Sequence, residues 1–84
     1  MKKVYILTKV CRVEGTKNDL CERVEKVFGG AFGLKRAAAM LSNMASNITE
    51  KDVTECMTEG MPFDLMISEN NELVCYFLEP WNVE

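Results

Sequence analysis

The first segment of the chain alternates between two sets of side chains, and this pattern predicts a β-strand from Lys2 to Val13. Its even-numbered positions are apolar apart from one threonine (Val4, Ile6, Thr8, Val10). Its odd-numbered positions are mixed (Tyr5, Leu7, Lys9, Cys11, Val13). Because of this mixed character, we expect the odd-numbered face to be only partly covered.

A second strand is predicted from Leu20 to Phe28, although its apolar positions fit neither the strand nor the helix period cleanly. The six residues 14–19 between the two strands include Gly15 and Asn18, which tolerate the positive φ angles of turns. The two strands are therefore expected to form a hairpin.

The period changes after Gly29 and Gly30, where apolar residues begin to recur at helical spacing. These positions run from Phe32 onward (Leu34, Ala37, Ala38, Leu41, Met44, Ala45, Ile48). A second, shorter helix is predicted from Glu50 to about Glu59, because Thr49 and Asp52 match a capping box. Gly60 is placed to end this helix, and Pro62 prevents its return.

The last part of the chain predicts a second hairpin. Residues 63–68 and 73–78 are strand-like, and the polar segment 69–72 between them is rich in residues that accept left-handed geometry. Proline is disfavoured inside a central strand, so Pro80 predicts that the last strand ends near Glu79 and that residues 81–84 form a tail.

Together these elements predict a single α+β domain over residues 1–84. We expect a four-stranded antiparallel sheet with two helices on one face, in the order ββααββ. A chain of 84 residues buries only roughly 60–65% of the surface of its unfolded form, so association with a partner is expected to add stability. No apolar run approaches the roughly 20 residues of a membrane span, and no signal peptide is evident. We therefore expect a cytoplasmic protein without membrane contact.

The composition excludes the common catalytic centres. The chain contains no histidine, which removes Ser-His-Asp and Cys-His catalysis and the usual histidine-containing zinc sites. The cysteines (Cys11, Cys21, Cys56, Cys75) can pair in three ways, but none forms a C-x-x-C motif, and we expect free thiols. The prediction is a protein that is not an enzyme and that uses no metal or cofactor.

The glycine-rich segment from Gly29 to Gly33, followed by Lys35 and Arg36, is the one place where an anion-binding turn is conceivable, since a helix begins there. It lacks the lysine and hydroxyl positions of a phosphate-binding P-loop. The simpler interpretation is that its glycines permit a tight turn from strand to helix.

Charge is distributed unevenly along the chain. Residues 1–36 hold nine Lys and Arg against four Asp and Glu, a net charge of +5, whereas residues 37–84 hold one lysine against nine acidic residues, a net charge of −8. We predict that acidic residues of the second helix and the last hairpin, with Trp81 beside them, contact a basic partner. The predicted contact residues are Glu50, Asp52, Glu55, Glu59, Glu69, Glu72, Glu79 and Trp81. The alternative is that this acidic surface only keeps the protein soluble.

Three segments together resemble the short proteins carried by phages, prophages and other mobile elements. They are the opening strand Lys3–Thr8, the Val27–Gly30 segment before an alanine-bearing helix, and the closing Leu78–Trp81. This group has no shared activity, so the resemblance assigns no site residue. By analogy of type, the resemblance implies a host-defence antagonist. This class includes the anti-CRISPR proteins, which are similar in being small, often acidic and non-enzymatic.

The leading functional hypothesis is therefore a binding or inhibitor protein. It would occupy a basic surface of a protein partner, such as a nucleic-acid-binding CRISPR effector in the host cytoplasm, without binding nucleic acid itself. One alternative is a structural or regulatory homo-oligomer, such as a dimer formed through a sheet edge or a methionine-rich face. Another is a small-ligand or anion-binding domain that uses the glycine-rich turn.

Overall fold

The computed structural model describes residues 2–12 and 20–83 and confirms the predicted α+β architecture. Its elements are β1 (Lys2–Arg12), β2 (Leu20–Phe28), α1 (Gly33–Met44), α2 (Glu50–Thr58), β3 (Phe63–Glu69) and β4 (Glu72–Val83). The predicted turn at residues 14–19 and the end of the first strand at Val13 lie outside the described residues.

The four strands form one antiparallel sheet in the order β2-β1-β4-β3. The first and last strands, β1 and β4, are therefore neighbours at the centre of the sheet. The complete sheet forms only when these two strands, from opposite ends of the chain, pair with each other. The β3–β4 hairpin turns at Asn70 and Asn71, whose φ angles are 51° and 64°. Asparagine tolerates these left-handed values, as the sequence predicted for this turn.

Both helices lie on the same side of the sheet, and their ends follow local rules. Thr49 caps α2, with its hydroxyl oxygen accepting a hydrogen bond from the Asp52 amide at 3.1 Å. Beyond α2, Gly60 takes a φ of 77°, a left-handed value that glycine adopts without strain. The predicted second helix is thus confirmed at both ends.

The core lies between the helices and the odd-numbered face of β1. Leu7 and Leu78 from the two central strands are fully buried, as are Leu41 of α1 and Met57 of α2. Ala37 and Ala38 are also buried, and their small side chains let α1 lie close to the sheet. The mixed face is therefore the one that the helices cover, and the more apolar even-numbered face is left open.

Two predicted element ends are wrong. The last strand does not end near Glu79 but continues through Pro80 to Val83, with Pro80 opposite Tyr5 of β1. A proline is tolerated there because the β3 ladder stops at the Phe63–Leu78 pair, so no β3 residue requires the N–H that proline lacks.

The first helix also ends earlier than its apolar spacing predicted. It stops at Met44, and Ala45 is extended, with φ −146° and ψ 133°. Ser46 and Asn47 follow, residues whose side chains compete with the helical hydrogen bonds of the backbone. Ile48 keeps its predicted apolar role, since it still packs against the core.

Candidate interaction surface

The face of the sheet opposite the helices is a broad apolar surface, which we call the open face. The register of the strands determines which residues lie on this face, because side chains alternate between the two sides of a sheet. The two central strands contribute most of it (Val4, Ile6, Thr8, Val10 from β1; Leu73, Cys75, Phe77, Glu79, Trp81, Val83 from β4). The outer strands add the rest of the described side chains (Leu20, Glu22, Val24, Val27 from β2; Asp64, Met66, Ser68 from β3).

The open face collects most of the exposed apolar side chains in residues 2–12 and 20–83. Seven of the nine large hydrophobic residues that are strongly exposed lie on it (Leu20, Val24, Val27, Met66, Leu73, Trp81, Val83). The other two, Phe32 and Met61, lie outside the sheet. A monomeric protein seldom exposes an apolar patch of this extent unless the patch binds something.

The shape of the domain gives this face its area. The described chain measures 42 × 30 × 17 Å along its principal axes, so it is a slab of two layers. From strand spacing and rise per residue, the open face covers on the order of 600 Å² in projection. A stable protein interface typically buries about 800 Å² on each partner, so the open face approaches the size of a complete interface.

Charged residues on the open face lie towards its border. Glu22 and Asp64 belong to the two outer strands, and Glu79 lies beyond the point where β3 ends. Lys2 pairs with Val83 at one end of the face. Among the described side chains, three carboxylates therefore surround the apolar centre against one lysine. An apolar centre with a polar border is the usual anatomy of a protein interface.

The open face also contains a shallow groove at the end of the sheet where β3 turns into β4. The groove has a volume of about 470 Å³, and its lining includes Val10, Leu20, Met66 and Leu73. Trp81 lies at the opposite end of the face, and this residue is 53% exposed. The face thus offers a concave apolar site at one end and a projecting aromatic side chain at the other.

The structure divides the eight predicted contact residues between the two sides of the sheet. Four of them are exposed carboxylates in α2 or directly after it (Glu50, Asp52, Glu55, Glu59). They lie on the side of the sheet that carries the helices, which we call the helical side. Glu79 and Trp81 are on the open face. Glu72 is the register partner of Glu69 and lies beside the β3–β4 turn, where it borders the groove. Glu69 faces the helical side, where other groups engage its carboxylate. The eight residues therefore do not form one continuous surface, and their role in binding stays a prediction.

Glu69 belongs to a three-residue network at the hairpin end of the sheet. Its carboxylate accepts a hydrogen bond from the Tyr76 hydroxyl at 2.7 Å and lies 3.0 Å from the Lys9 ammonium nitrogen. These contacts lower the pKa of Glu69, the Tyr76 hydrogen bond contributing most. The pKa of Lys9 is raised, chiefly by its hydrogen bond to Glu69, and burial raises the pKa of Tyr76. The network explains how a lysine is tolerated on the side of β1 that the helices cover.

This network predicts a pH-dependent contribution to stability. Because the pKa of Glu69 is lowered by folding, its stabilising effect is present above the ordinary carboxylate pKa and is lost as the pH falls through the folded-state value. We expect Glu69→Gln to lower the urea midpoint at neutral pH and to leave it nearly unchanged well below pH 4. Glu72→Gln is the matched control, since Glu72 lies opposite Glu69 and is exposed. Equal effects of the two substitutions at every pH would contradict the role given to Glu69.

The glycine-rich turn before α1 is held by one of the two cations that follow it. The Arg36 guanidinium donates a hydrogen bond to the Gly29 carbonyl at 2.8 Å, and the Gly33 amide donates one to the Gly30 carbonyl at 3.2 Å. Gly30 takes a φ of 82°, which requires glycine. These contacts give the turn a structural role, and anion binding there stays a prediction.

Two of the four thiols, those of Cys56 and Cys75, have a pKa raised above the ordinary value for cysteine. Cys56 donates to the carbonyls of Met61 and Pro62, and burial raises the pKa of its thiol. Burial likewise raises the pKa of Cys75, with a further contribution from Asp64. Within residues 2–12 and 20–83, no three His, Cys, Asp or Glu residues are grouped so as to hold a metal ion.

The apolar content of the open face is what sequence reasoning missed. The signal was present in the even-numbered positions of β1, which are more uniformly apolar than the odd-numbered ones. In a sheet covered on one side only, such a face is expected to point to the core. Here the helices cover the other face, and nothing in the strand pattern alone reveals this choice.

Neither helix in the described part of the chain is long and apolar enough to cross a membrane. Comparison with known proteins gives no match, since no family model, no curated protein and no solved structure is similar to the chain.

Proposed function

We propose that this chain is a small binding or inhibitor protein, without catalytic activity, that acts by covering part of the surface of another protein. The open face is the contact surface. The observation that carries this proposal is the placement of seven of the nine strongly exposed large hydrophobic residues on that one face. Covering them would remove a large apolar area from water, which favours association.

The charges at the border of the open face favour a partner with basic residues around an apolar patch. Glu22, Asp64 and Glu79 would each meet a lysine or arginine of such a partner, while Lys2 lies at one end. A second copy of this chain fits less well, because, among the side chains that the structure describes, it would add three more carboxylates and one more lysine to the same interface. Like charges brought together at an interface cost affinity.

The narrower proposal is that the partner is a nucleic-acid-binding protein of a host-defence system, with the chain acting as an antagonist of anti-CRISPR type. Support for it consists of the resemblance to mobile-element proteins and the preference for a basic partner. A nucleic-acid channel is lined with lysine and arginine, so a protein that blocks it benefits from carboxylates. Genes for defence or phage proteins beside the gene for this chain would strengthen this proposal, and housekeeping neighbours would weaken it.

Site-specific crosslinking tests the contact surface directly. A photoreactive phenylalanine analogue is placed at Trp81 on the open face or, as the control, at Phe32, an exposed aromatic residue outside the sheet. We expect crosslinking in the cells that naturally make the chain to give one defined partner from position 81 and none from position 32. The purified pair should then bind with a dissociation constant that weakens at least about tenfold between 50 and 500 mM salt.

Two outcomes would overturn this assignment. Equal crosslinking from both positions would show that the open face is not the contact surface. Crosslinking of position 81 to a second copy of the chain, together with a mass of about 19 kDa in solution, twice the 9.5 kDa of one chain, would establish the homodimer instead. Such a dimer would hold or tighten as salt is added, because salt screens its carboxylates from one another.

A further inference from the structure

Cys11 and Cys21 lie directly opposite each other on neighbouring antiparallel strands. The register of β1 and β2 pairs their Cα atoms, one step before the last described pair of this ladder. Cys11 is half-buried and Cys21 is exposed, and both thiols are free in the structure. From this juxtaposition we propose that the two cysteines form a reversible disulfide under oxidising conditions, so that this pair is a redox modification site.

The separation of the two residues suits such a bond. Residues directly opposite each other in an antiparallel pair have Cα atoms about 4.5 or 5.5 Å apart, and disulfides span Cα distances of about 4.4 to 6.8 Å. The side chains of such a pair project from the same side of the sheet, here the helical side that also carries Leu7. The bond therefore requires rotation of two side chains and no movement of the backbone.

The fold selects this pairing among the three that four cysteines allow. Cys75 is on the open face, where its neighbours across the ladders are Val10 and Met66, so the sheet separates it from Cys11. Cys56 is in α2 and donates to carbonyls of the segment that follows that helix. Only Cys11 and Cys21 are cross-strand partners.

Glutathione disulfide is the oxidant that forms this bond, by thiol–disulfide exchange. The thiolate of exposed Cys21 attacks one sulfur of glutathione disulfide, which forms a mixed disulfide and releases one glutathione as its thiolate. The thiolate of Cys11 then attacks the Cys21 sulfur, so the protein disulfide forms and the second glutathione leaves. The two protein thiols lose two protons and two electrons in total, and glutathione disulfide is reduced to two molecules of glutathione. Excess reduced glutathione or dithiothreitol reverses both steps.

The bond would fasten the least supported part of the sheet. β2 is an outer strand, and Phe28 at its far end is its only buried residue. Its register with β1 shifts between Leu7 and Thr8, an irregularity that locally interrupts the hydrogen-bonded ladder. A disulfide between Cys11 and Cys21, at the end of β2 opposite Phe28, would hold β2 in this register. It would also hold Leu20 and Val10 at the groove of the open face.

Peptide mapping of the 84-residue chain tests this inference. The protein is equilibrated in buffers of increasing glutathione disulfide to glutathione ratio, free thiols are alkylated, and the trypsin-digested product is analysed by mass spectrometry. We expect the thiol count to fall from four to two, with the tryptic peptide 10–12 linked to the peptide 18–23. The oxidised protein should unfold at a temperature about 10 °C higher than the reduced one, because the bond restricts the unfolded chain.

The variants separate this bond from other oxidation. Cys75→Ser should keep both the linked peptides and the thermal shift, whereas Cys21→Ser should lose both. Position 21 is exposed, so Cys21→Ser should still fold. A glutathione adduct on Cys21 that never resolves, linkage through Cys75, or four free thiols at the most oxidising ratio would each overturn the proposal.

Discussion

Replacing Leu7 by alanine should lower the free energy of unfolding by about 3 kcal/mol, whereas replacing its neighbour Ile6 should cost about 1 kcal/mol or less. Leu7 is fully buried against the helices, and its truncation leaves a cavity that a small core cannot fill. Ile6 is on the open face and only half-buried. A domain of this size has a total stability of roughly 4–12 kcal/mol, so a loss of about 3 kcal/mol removes between about a quarter and three quarters of it. Urea denaturation followed by circular dichroism measures both values.

The two substitutions act on adjacent residues of the same strand, so strand propensity and chain position are closely matched. The two positions differ in the side of the sheet on which the side chain lies. Leu78→Ala, at the position of β4 opposite Leu7, should reproduce the large effect, because Leu78 is fully buried as well. If Ile6→Ala destabilised the isolated protein as strongly as Leu7→Ala, the open face would already be covered, and its role as a contact surface would be untenable.

Replacing Trp81 by alanine should weaken binding to the crosslinked partner by about thirtyfold or more, which corresponds to about 2 kcal/mol. Tryptophan buries a large area when a partner covers it, and here 53% of its surface is available before binding. Calorimetric titration of the purified pair at fixed salt gives the dissociation constant. Stability should change little, because Trp81 lies outside the buried core.

Phe32→Ala is the matched control for the Trp81 variant, since Phe32 is also an exposed aromatic residue but lies outside the sheet. It should leave the dissociation constant within about twofold of the unaltered protein. The combined replacement of Glu50, Asp52, Glu55 and Glu59 by glutamine tests the helical side separately. If those four changes weakened binding and Trp81→Ala did not, the contact surface would be the acidic side of α2, which is only one part of the surface that the charge pattern of the sequence predicted.

Much of the local structure was predictable because its causes lie within a few residues. The Asn70–Asn71 turn, the Thr49 cap and the Gly60 helix end each depend on a side chain acting on the backbone beside it. Pro80 shows the limit of such reasoning. Whether a proline suits a strand depends on where the neighbouring strand ends, and here β3 ends before it.

The candidate contact surface was less predictable because it depends on which residues meet across the sheet. Acidic residues close in sequence, such as Glu69 and Glu72, take different positions: one carboxylate is engaged by Lys9 and Tyr76, and the other is exposed at the groove. Glu79 and the carboxylates of α2 lie on opposite sides of the sheet. Charge counted along the chain therefore identified an acidic half without identifying a single acidic face.

By itself, the sequence determined the element order ββααββ, the hairpins and the caps of this protein, and it excluded histidine-based chemistry. Only the tertiary structure decided which face of β1 is buried, since both faces carry apolar residues and the helices can cover just one. The tertiary structure also brought Cys11 opposite Cys21 and gathered the exposed apolar residues of four strands on one surface. These are long-range pairings, and a chain pattern with a period of two residues contains no information about the strand that will lie beside it.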